Sequence, residues 1–203
     1  MAPSDLIHGD PETTRDAIMQ ATYQALCEHG YAELTIQRIG DEFTKSKSLL
    51  YHHYDGKDEL LLEFLETMID RFENEFQEDT HEAPRARLDG ILDYGLAATL
   101  DEERAEFTRT MGELRAQAAH DDRYHQRVAR LDESFRDHVA AVIRDGVAAD
   151  AFAAVDPEQV ADFVLVVLNG ARLQRVTGGT EGDMNAAREE MRHYVRCRLE
   201  ADE

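Results

Sequence analysis

Residues 35–62 read TIQRIGDEFTKSKSLLYHHYDGKDELLL, and this stretch decides the fold of the chain. Ile36, Ile39 and Phe43 have the three- and four-residue spacing of one helical face, which predicts a short helix. After a polar break, Ser46 is placed to cap a second short helix. Two short helices joined by a tight turn predict a helix-turn-helix, whose second helix reads the major groove of DNA.

The second of these helices has a polar, cationic outer face when Leu50 and Tyr54 point inward. The chain has only three lysines, Lys45, Lys47 and Lys57, and all of them lie in this stretch. Lysines gathered in one segment of an acidic chain favour contact with a polyanion such as DNA. The residues predicted on the outer face are Lys47, Ser48, Leu49, Tyr51 and His52.

The chain is strongly acidic, with 43 Asp and Glu against 22 Lys and Arg and a formal net charge of −21. A surface of this sign repels duplex DNA and argues against sequence-independent nucleic-acid binding. Scarce lysine and abundant acid resemble the composition of proteins from salt-accumulating halophiles. We therefore hypothesise that the protein works in concentrated salt, where counterion release drives DNA binding poorly and base contacts carry more of the affinity.

No apolar run approaches the roughly 20 residues that span a bilayer, and the N-terminus lacks the basic and apolar regions of a signal peptide. We therefore expect a cytoplasmic protein. Cys27 and Cys197 are far apart and lack CxxC spacing, so two buried thiols are expected rather than a disulfide, a zinc site or a redox switch. No cofactor is predicted.

Helical periodicity recurs along the whole chain and no strand pattern is sustained, which predicts an all-α fold of about nine helices. Helix starts are predicted after Asp10 and Asp156, each followed by proline, and helix ends are predicted at Gly30 and at Gly178-Gly179. Three helices in residues 1–56 are expected to form the DNA-binding domain, and residues 57–203 an effector-binding and dimerisation domain. Further helices are predicted from Lys57, from Pro84, over 102–119, over 121–149 and from Thr180.

The most apolar segment of the chain, FVLVVL at residues 163–168, predicts a helix that is buried on more than one side. We expect one of those sides to face a second copy of the chain, with the last helix beside it. The residues predicted at this dimer interface are Phe163, Val167, Met191, Tyr194 and Val195.

The spacing of several motifs around the helix-turn-helix resembles the DNA-binding signature of the tetracycline-repressor (TetR) family. The resemblance covers residues 12–65 without a gap. The order of the C-terminal segments is similar to the branch of that family that includes the regulator of glycine-betaine synthesis. The motifs that carry the resemblance are Ile39-Gly40, Ser46-Lys47, Leu50-Tyr51-His52-His53-Tyr54 and Lys57-Asp58-Glu59-Leu60.

The resemblance implies a role for each matching residue of the head. One group holds DNA phosphates, and a second faces the bases, where Lys47 would donate to guanine and Leu49 would contact a thymine methyl group. Thr44 stands where the family usually has a turn glycine, so a differently shaped turn is expected. The predicted phosphate contacts are Thr35, Ser46, Tyr51, His53 and Lys57, and the predicted base contacts are Gln37, Lys47, Ser48, Leu49 and His52.

The resemblance also implies a ligand-responsive regulator, most simply a homodimeric repressor of a pseudo-palindromic operator in double-stranded DNA. A small apolar molecule, such as an acyl chain or a planar compound, would release it from the operator. The effector pocket is expected in the body of the protein, although core packing explains each of its residues at least equally well. Those residues are Phe64, Met68, Tyr94, Phe107, Met111, Phe135 and His138.

Two other classes of protein stay open. One is a small-molecule-binding protein whose head no longer binds DNA. The other is a metal-dependent helical-bundle enzyme, because Glu78-x-x-His81 and Glu190-x-x-His193 have the spacing of di-iron ligands. Chance matches are expected in a chain this acidic, and the acids and histidines of residues 120–125 fall at a predicted helix start, where acids are favoured. We therefore predict neither an enzyme nor a metal site.

Two groups of arginines resemble basic patches, one at positions 123, 127 and 130 and one at positions 192, 196 and 198. Acidic residues surround both groups. Their helical spacing favours ion pairs within a helix or between subunits rather than a nucleic-acid contact.

Overall fold

The computed structural model describes residues 11, 13–78 and 82–199, and their regular structure is entirely helical. The all-α fold and the predicted number of helices are therefore confirmed for the described residues, which contain no strand. None of these helices is long and apolar enough to cross a membrane. The helices are α1 Thr14–Glu33, α2 Ile36–Glu42, α3 Lys47–His53, α4 Lys57–Glu78, α5 Pro84–Gly95, α6 Glu102–Gln117, α7 Asp122–Ala148, α8 Pro157–Thr177 and α9 Glu181–Leu199.

Helix α1 begins with a reciprocal cap. The Asp16 amide donates to Thr13 Oγ1 at 3.1 Å, and the Thr13 amide donates to the Asp16 carboxylate at 3.0 Å. The two bonds satisfy amides that have no partner inside the helix. The sequence predicted a start at Pro11. Helix α1 instead starts at Thr14, because Thr13 supplies the cap. Asp10, the predicted cap, lies outside the described residues.

Gly30 interrupts α1 without ending it. Its backbone has φ of 67° and ψ of 165°, and the chain then makes one more turn to Glu33. Residues with side chains rarely adopt a φ of this sign, so the bend depends on glycine. The predicted end at Gly30 is therefore too early, because the bend redirects the last turn and does not stop it.

Helix α8 begins and ends where the sequence predicted. Asp156 Oδ1 accepts hydrogen bonds from the amides of Glu158 and Gln159, both at 3.1 Å. Gly178 follows the helix with φ of 116° in the left-handed region, the common ending for a helix with glycine after it.

The described residues form two compact units, each assembled from two parts of the chain. The first comprises residues within 1–72 and 101–130, and the second those within 73–100 and 131–203. The helix-turn-helix therefore shares a unit with α6 and with the first part of α7. The functional boundary at residue 56 stays a prediction.

The core of the first unit surrounds the inner sides of α2 and α3. Ile39 and Leu50, one from each of these helices, are fully buried. Tyr23 of α1 packs beside two further aromatic rings, with centroid distances of 6.0 Å to Phe64 and 6.1 Å to Phe107. The apolar face predicted for the two short helices is thus the face that enters the core.

The second unit has an apolar core of its own. Leu88 of α5, Ile143 of α7 and Val164 of α8 are all buried in it. A β-carbon placed on Gly146 would come within 2.0 Å of Phe152 Cδ2, so only glycine fits where this ring packs against α7.

Candidate functional site

Helix α3 is fixed in place by its buried side. Leu50 is fully buried, and its carbonyl accepts a hydrogen bond from the Tyr54 amide at 2.9 Å where the helix ends. Tyr54 Oη donates to Glu63 Oε2 of α4 at 3.0 Å, and Glu63 Oε1 accepts from Arg15 Nε at 2.6 Å. Burial, with the nearby Glu63 charge, raises the pKa of Tyr54. These contacts leave the opposite side of α3 exposed.

The exposed side of α3 carries the residues that helical spacing predicted there. Tyr51 is 51% exposed, the Lys47 side chain is 52% exposed, and Ser48 and His52 are also exposed. Leu49 is half-buried, with part of its side chain against the core of the first unit. Donors, an imidazole and an apolar group on one surface are the kinds of side chain that read base edges.

Three other predicted DNA contacts lie on α2, at its N-cap and at the end of α3. Gln37 on α2 and His53 at the end of α3 are exposed. Thr35 Oγ1 accepts the Arg38 amide at 3.2 Å, so Thr35 caps α2. The DNA roles of these side chains stay predictions.

Ser46 stands at the N-cap position of α3 but does not cap it. Its Oγ atom pairs with Ser48 Oγ at 2.7 Å, and no amide of the helix donates to it. The predicted cap is therefore wrong, because Ser46 Oγ bonds to the Ser48 hydroxyl and not to an amide of the helix.

Lys57 begins α4 and is engaged by the end of α1. Its Nζ atom donates to the Tyr31 carbonyl at 2.7 Å and lies 4.3 Å from the centroid of the Tyr31 ring. The ring face attracts the ammonium group. A phosphate contact at this position, as the resemblance implies, would add to these contacts or replace them.

The turn between α2 and α3 closes without a left-handed residue. Among the described residues, Asp150 is the only non-glycine residue with positive φ, so Thr44 does not adopt that conformation. This agrees with the expectation that a β-branched residue at the usual glycine position reshapes the turn.

Asp58, near the start of α4, accepts two tyrosine hydroxyls at one oxygen. Tyr31 Oη and Tyr124 Oη each lie 3.0 Å from Asp58 Oδ1. Burial, with the adjacent carboxylate, raises the pKa of both tyrosines, so each hydroxyl keeps its proton and donates. No local pattern in the sequence indicates this network, since its members come from α1, α4 and α7 and share no local spacing.

A second carboxylate continues the network on α6. Glu113 Oε2 accepts the Tyr31 amide at 2.6 Å, and the same carboxylate lies 3.3 Å from the place where a β-carbon on Gly30 would stand. Positive φ at Gly30 and this hydrogen bond therefore occur at the same bend of α1.

The predicted effector residues are distributed between the two units. Phe64, Met68, Phe107 and Met111 belong to the core of the first unit or pack against it. In the second unit, Phe135 and His138 are buried and Tyr94 is 37% exposed. Core packing accounts for Phe64, Met68, Phe107 and Met111, and the effector pocket stays a prediction.

The predicted dimer residues lie on α8 and α9, but they differ in exposure. Phe163 is 42% exposed and its ring centroid lies 4.5 Å from that of Tyr194. With Val167 and Met191, these rings line an open apolar depression of about 570 Å³. Val195 is buried inside the second unit. The uncovered surface extends along α8 to residues absent from the prediction, Val166, Leu173 and Val176.

The described residues contain no group of three or more His, Cys, Asp or Glu side chains that could hold a metal ion. Glu190 and His193 are exposed, and His193 lies beside Cys197, with 3.5 Å between Nε2 and Sγ. The side chains of the other di-iron motif, at positions 78 and 81, lie outside those described.

One of the two cysteines does not follow the prediction of buried thiols. Cys27 is half-buried, with Sγ 3.5 Å from Thr110 Oγ1, and burial raises the pKa of its thiol. Cys197 is exposed, because it falls on the side of α9 that turns away from the core.

Arginines of both groups form ion pairs, and most of these pairs join different helices of one chain. Arg127 and Arg130 of α7 both pair with Glu66 of α4. Arg192 of α9 pairs with Asp93 of α5 at 2.9 Å. The preference for ion pairs over a nucleic-acid patch is supported, but the expected pairs within one helix are not the main ones.

Comparison with known proteins supports the resemblance over both parts of the chain. Residues 18–64 match the family model described as bacterial regulatory proteins, tetR family. Residues 84–200, more than half of the chain, match the model described as BetI-type transcriptional repressor, C-terminal. A solved TetR transcription regulator from Haloarcula marismortui ATCC 43049 is 36% identical, with a TM-score of 0.80 over 92% of this chain and 98% of that one. The chain belongs to the TetR family.

More distant proteins add to the comparison. A transcriptional regulator from Saccharomonospora viridis in complex with choline shares the TetR fold at 17% identity, with a TM-score of 0.76 over 93% of this chain and 98% of that one. The HTH-type transcriptional repressor AcnR of Corynebacterium efficiens and of Corynebacterium glutamicum is 31% identical over 52 residues. That match spans 26% of this chain and only 28% of those relatives.

Membership of the TetR family decides the class of protein. TetR-family proteins are DNA-binding transcription regulators and not enzymes, and dimerisation and small-molecule binding are typical of the family. The helical-bundle enzyme considered from the sequence is therefore set aside.

Proposed function

We propose that this TetR-family regulator is a homodimeric repressor that binds a pseudo-palindromic operator and leaves it when a small molecule binds. The observation that carries the proposal is the exposed side of α3, where Lys47, Ser48, Tyr51 and His52 face solvent on a helix anchored by Leu50. In helix-turn-helix proteins the second helix enters the major groove with its exposed side.

An uncovered apolar stripe on α8 supports dimerisation. Val166 is 69% exposed and Leu173 is 63% exposed, and both lie on the same side of α8 as Phe163. Apolar side chains that follow one another along a helix face are usually covered by a partner. A second copy would cover this stripe together with the depression between α8 and α9.

The operator geometry follows from the twofold symmetry of a dimer. Two reading helices engage half-sites about 34–36 Å apart, one turn of duplex DNA. The test is selection of bound sequences from random duplex DNA in concentrated KCl. We expect an inverted repeat with half-sites at that spacing, and we expect Tyr51→Ala and His52→Ala to lose binding to the selected sequence.

The matched control is Asn185→Ala, which removes an exposed polar side chain from α9 outside the depression and should bind as the unmodified protein does. If a correctly folded protein enriches no sequence, the head does not bind DNA. The alternative of a small-molecule-binding protein with an inactive head then replaces the repressor.

The effector is proposed to be a small, mainly apolar molecule such as an acyl chain or a planar compound. A specific observation favours a second class, a choline-like quaternary ammonium ion: the C-terminal match is of the BetI type, and one structural neighbour was solved with choline. Thermal unfolding with choline and with decanoate separates the two classes. A ligand raises the melting temperature only if it binds the folded state preferentially.

The acidic composition supports the proposal that the protein functions in concentrated salt. As a regulator of transcription it would bind DNA in the cytoplasm. A formal charge of −21 destabilises the compact state through repulsion unless salt screens it. The melting temperature should therefore rise steeply with KCl concentration, and a flat dependence would contradict this part of the proposal.

A further inference from the structure

The cations of the helix-turn-helix are already engaged within the protein. Arg38 lies 3.5 Å from the Glu33 carboxylate, and Lys45 Nζ donates to a threonine hydroxyl of α1 at 3.2 Å. The Lys47 ammonium forms an ion pair with the Asp41 carboxylate. Of these three cations, Lys47 is the one predicted to contact a base, so its partner matters most for DNA binding.

The position of Lys47 depends on two neighbouring residues at the end of α2. Its side chain passes Gly40, where an added β-carbon would stand 3.4 Å from Lys47 Cδ and 3.5 Å from Cγ. Asp41, the next residue, then receives the ammonium group. The side chain of Lys47 therefore lies back against α2 and does not extend from the tip of α3.

We propose that Asp41 competes with DNA for Lys47, so that operator binding exchanges one ion pair for another. The proposal rests on α3 being the reading helix of the proposed repressor. In the free protein the Asp41 carboxylate holds the ammonium. In the complex a guanine edge or a phosphate holds it, and Asp41 is left with a cation from solution.

The exchange changes how DNA binding depends on salt. A lysine that neutralises a phosphate releases a counterion, and this lowers the slope of log K against log salt concentration by about 0.9. When that lysine first leaves a carboxylate, the carboxylate attracts a cation in return and offsets part of the release. Lys47 then adds little to the salt dependence, which suits an acidic protein in concentrated salt.

The competition is weak enough to be overcome by DNA. The Lys47 side chain is 52% exposed and the Asp41 side chain 62% exposed. Pairs this exposed are usually worth a factor of about five or less in an equilibrium constant. Because the Debye length falls to about 3 Å in 1 M salt, the competition fades as salt rises.

The experiment measures operator affinity by fluorescence anisotropy, with the selected operator and the full-length protein, between about 0.2 and 2 M KCl. Asp41→Asn keeps the size of the side chain and removes its charge. We expect this variant to bind about two to five times more tightly at the low end of the range, with the difference closing at the high end. For this variant, the slope of log K against log salt concentration should be steeper by up to about 0.9.

Two variants separate the release of Lys47 from a general loss of negative charge. Asp55→Asn removes an exposed acid between α3 and α4 in the same head and should leave the slope close to that of the unmodified protein. Lys47→Met keeps the length of the lysine stem without its charge. In that background, Asp41→Asn should no longer tighten binding or steepen the slope.

Equal effects of Asp41→Asn and Asp55→Asn would overturn the proposal, since they would reflect charge alone. So would an effect of Asp41→Asn that persists with Lys47→Met. If the unmodified protein binds no duplex at any salt concentration, the repressor function itself fails. Operator binding with no change in the Asp41→Asn variant overturns only the competition.

Discussion

Asp58 at the start of α4 accepts a hydrogen bond from Tyr124 of α7 at 3.0 Å, although 66 positions separate them in sequence. The same oxygen also accepts Tyr31, so one carboxylate joins three helices of the first unit. Hydrogen bonds to charged groups contribute about 1.5–3 kcal/mol. We therefore expect Tyr124→Phe to lower the free energy of unfolding by about that amount, measured by urea denaturation.

Tyr51→Phe is the control for this prediction, because it removes a hydroxyl from a side chain that is 51% exposed. It should change the free energy of unfolding by less than about 0.5 kcal/mol. Equal losses for the two variants would mean that the bond to Asp58 does not stabilise the unit.

Alanine substitutions at two glycines, one at the bend of α1 and one in α5, are predicted to change stability in opposite directions. Gly30→Ala places a side chain on a residue with φ of 67° and within 3.3 Å of the Glu113 carboxylate, and should destabilise the protein by about 1–2 kcal/mol. Gly90→Ala, in the exposed middle of α5 with no atom within 4 Å of the new carbon, should stabilise it by up to about 1 kcal/mol. Thermal unfolding of both variants checks the signs, and a neutral Gly30→Ala would show that the bend tolerates a side chain.

The cap of α1 predicts a stability difference that depends on pH. The hydrogen bond from the Thr13 hydroxyl lowers the pKa of Asp16 below its usual value of 3.8. A depressed pKa in the folded state stabilises the protein above the unfolded value and loses that effect as pH falls through the folded value. Thr13→Ala should therefore cost about 1 kcal/mol at pH 7, and the difference from the unmodified protein should shrink below about pH 4.

Urea denaturation in concentrated KCl at several pH values measures this difference. Asp16→Asn is the companion variant, because the asparagine side chain does not titrate. The stability of this variant should therefore lack the contribution from Asp16 that disappears below about pH 4. A Thr13→Ala effect that is constant from neutral to acid pH would contradict the role of the Asp16 charge.

The apolar stripe on α8 predicts a monomeric variant. Leu173→Glu places a charge on a side chain that is 63% exposed in the single chain, so folding should be kept while association is lost. Asn185→Glu adds the same charge to an exposed position on α9 outside the depression and should stay dimeric. Light scattering after size-exclusion chromatography gives the masses, and a dimeric Leu173→Glu would place the interface elsewhere.

Local patterns in the sequence predicted most of the helices and the exposed side of α3. Helical periodicity alone predicts that Ile39 and Leu50 point inward. Asp156 and Gly178 cap the two ends of α8, and each acts within one turn of that helix. Local signals were wrong where two of them competed. Ser46 had the right type and position for a cap, but Ser48 offered it a nearer partner.

Contacts between distant segments could not be predicted. Nothing near Asp58 in sequence indicates that Tyr31 and Tyr124 converge on it, because their approach depends on how α1 and α7 pack against α4. The same holds for Lys47, whose outer position was predicted from spacing but whose pairing with Asp41 depends on the crossing of two helices. The exposure of Cys197 likewise depends on which side of α9 packs inward.

The discontinuous make-up of the first unit has a consequence for protein engineering. Residues 101–130 complete the unit that contains the reading helix, and Tyr124 from this segment binds directly to Asp58. A chimaera that transplants only the first 56 residues onto another regulator would leave Asp58 behind and would place Tyr31 against a foreign surface without its acceptor. A graft that carries residues 1–72 and 101–130 together keeps Asp58 with both of its tyrosine donors and keeps the unit around α3 complete.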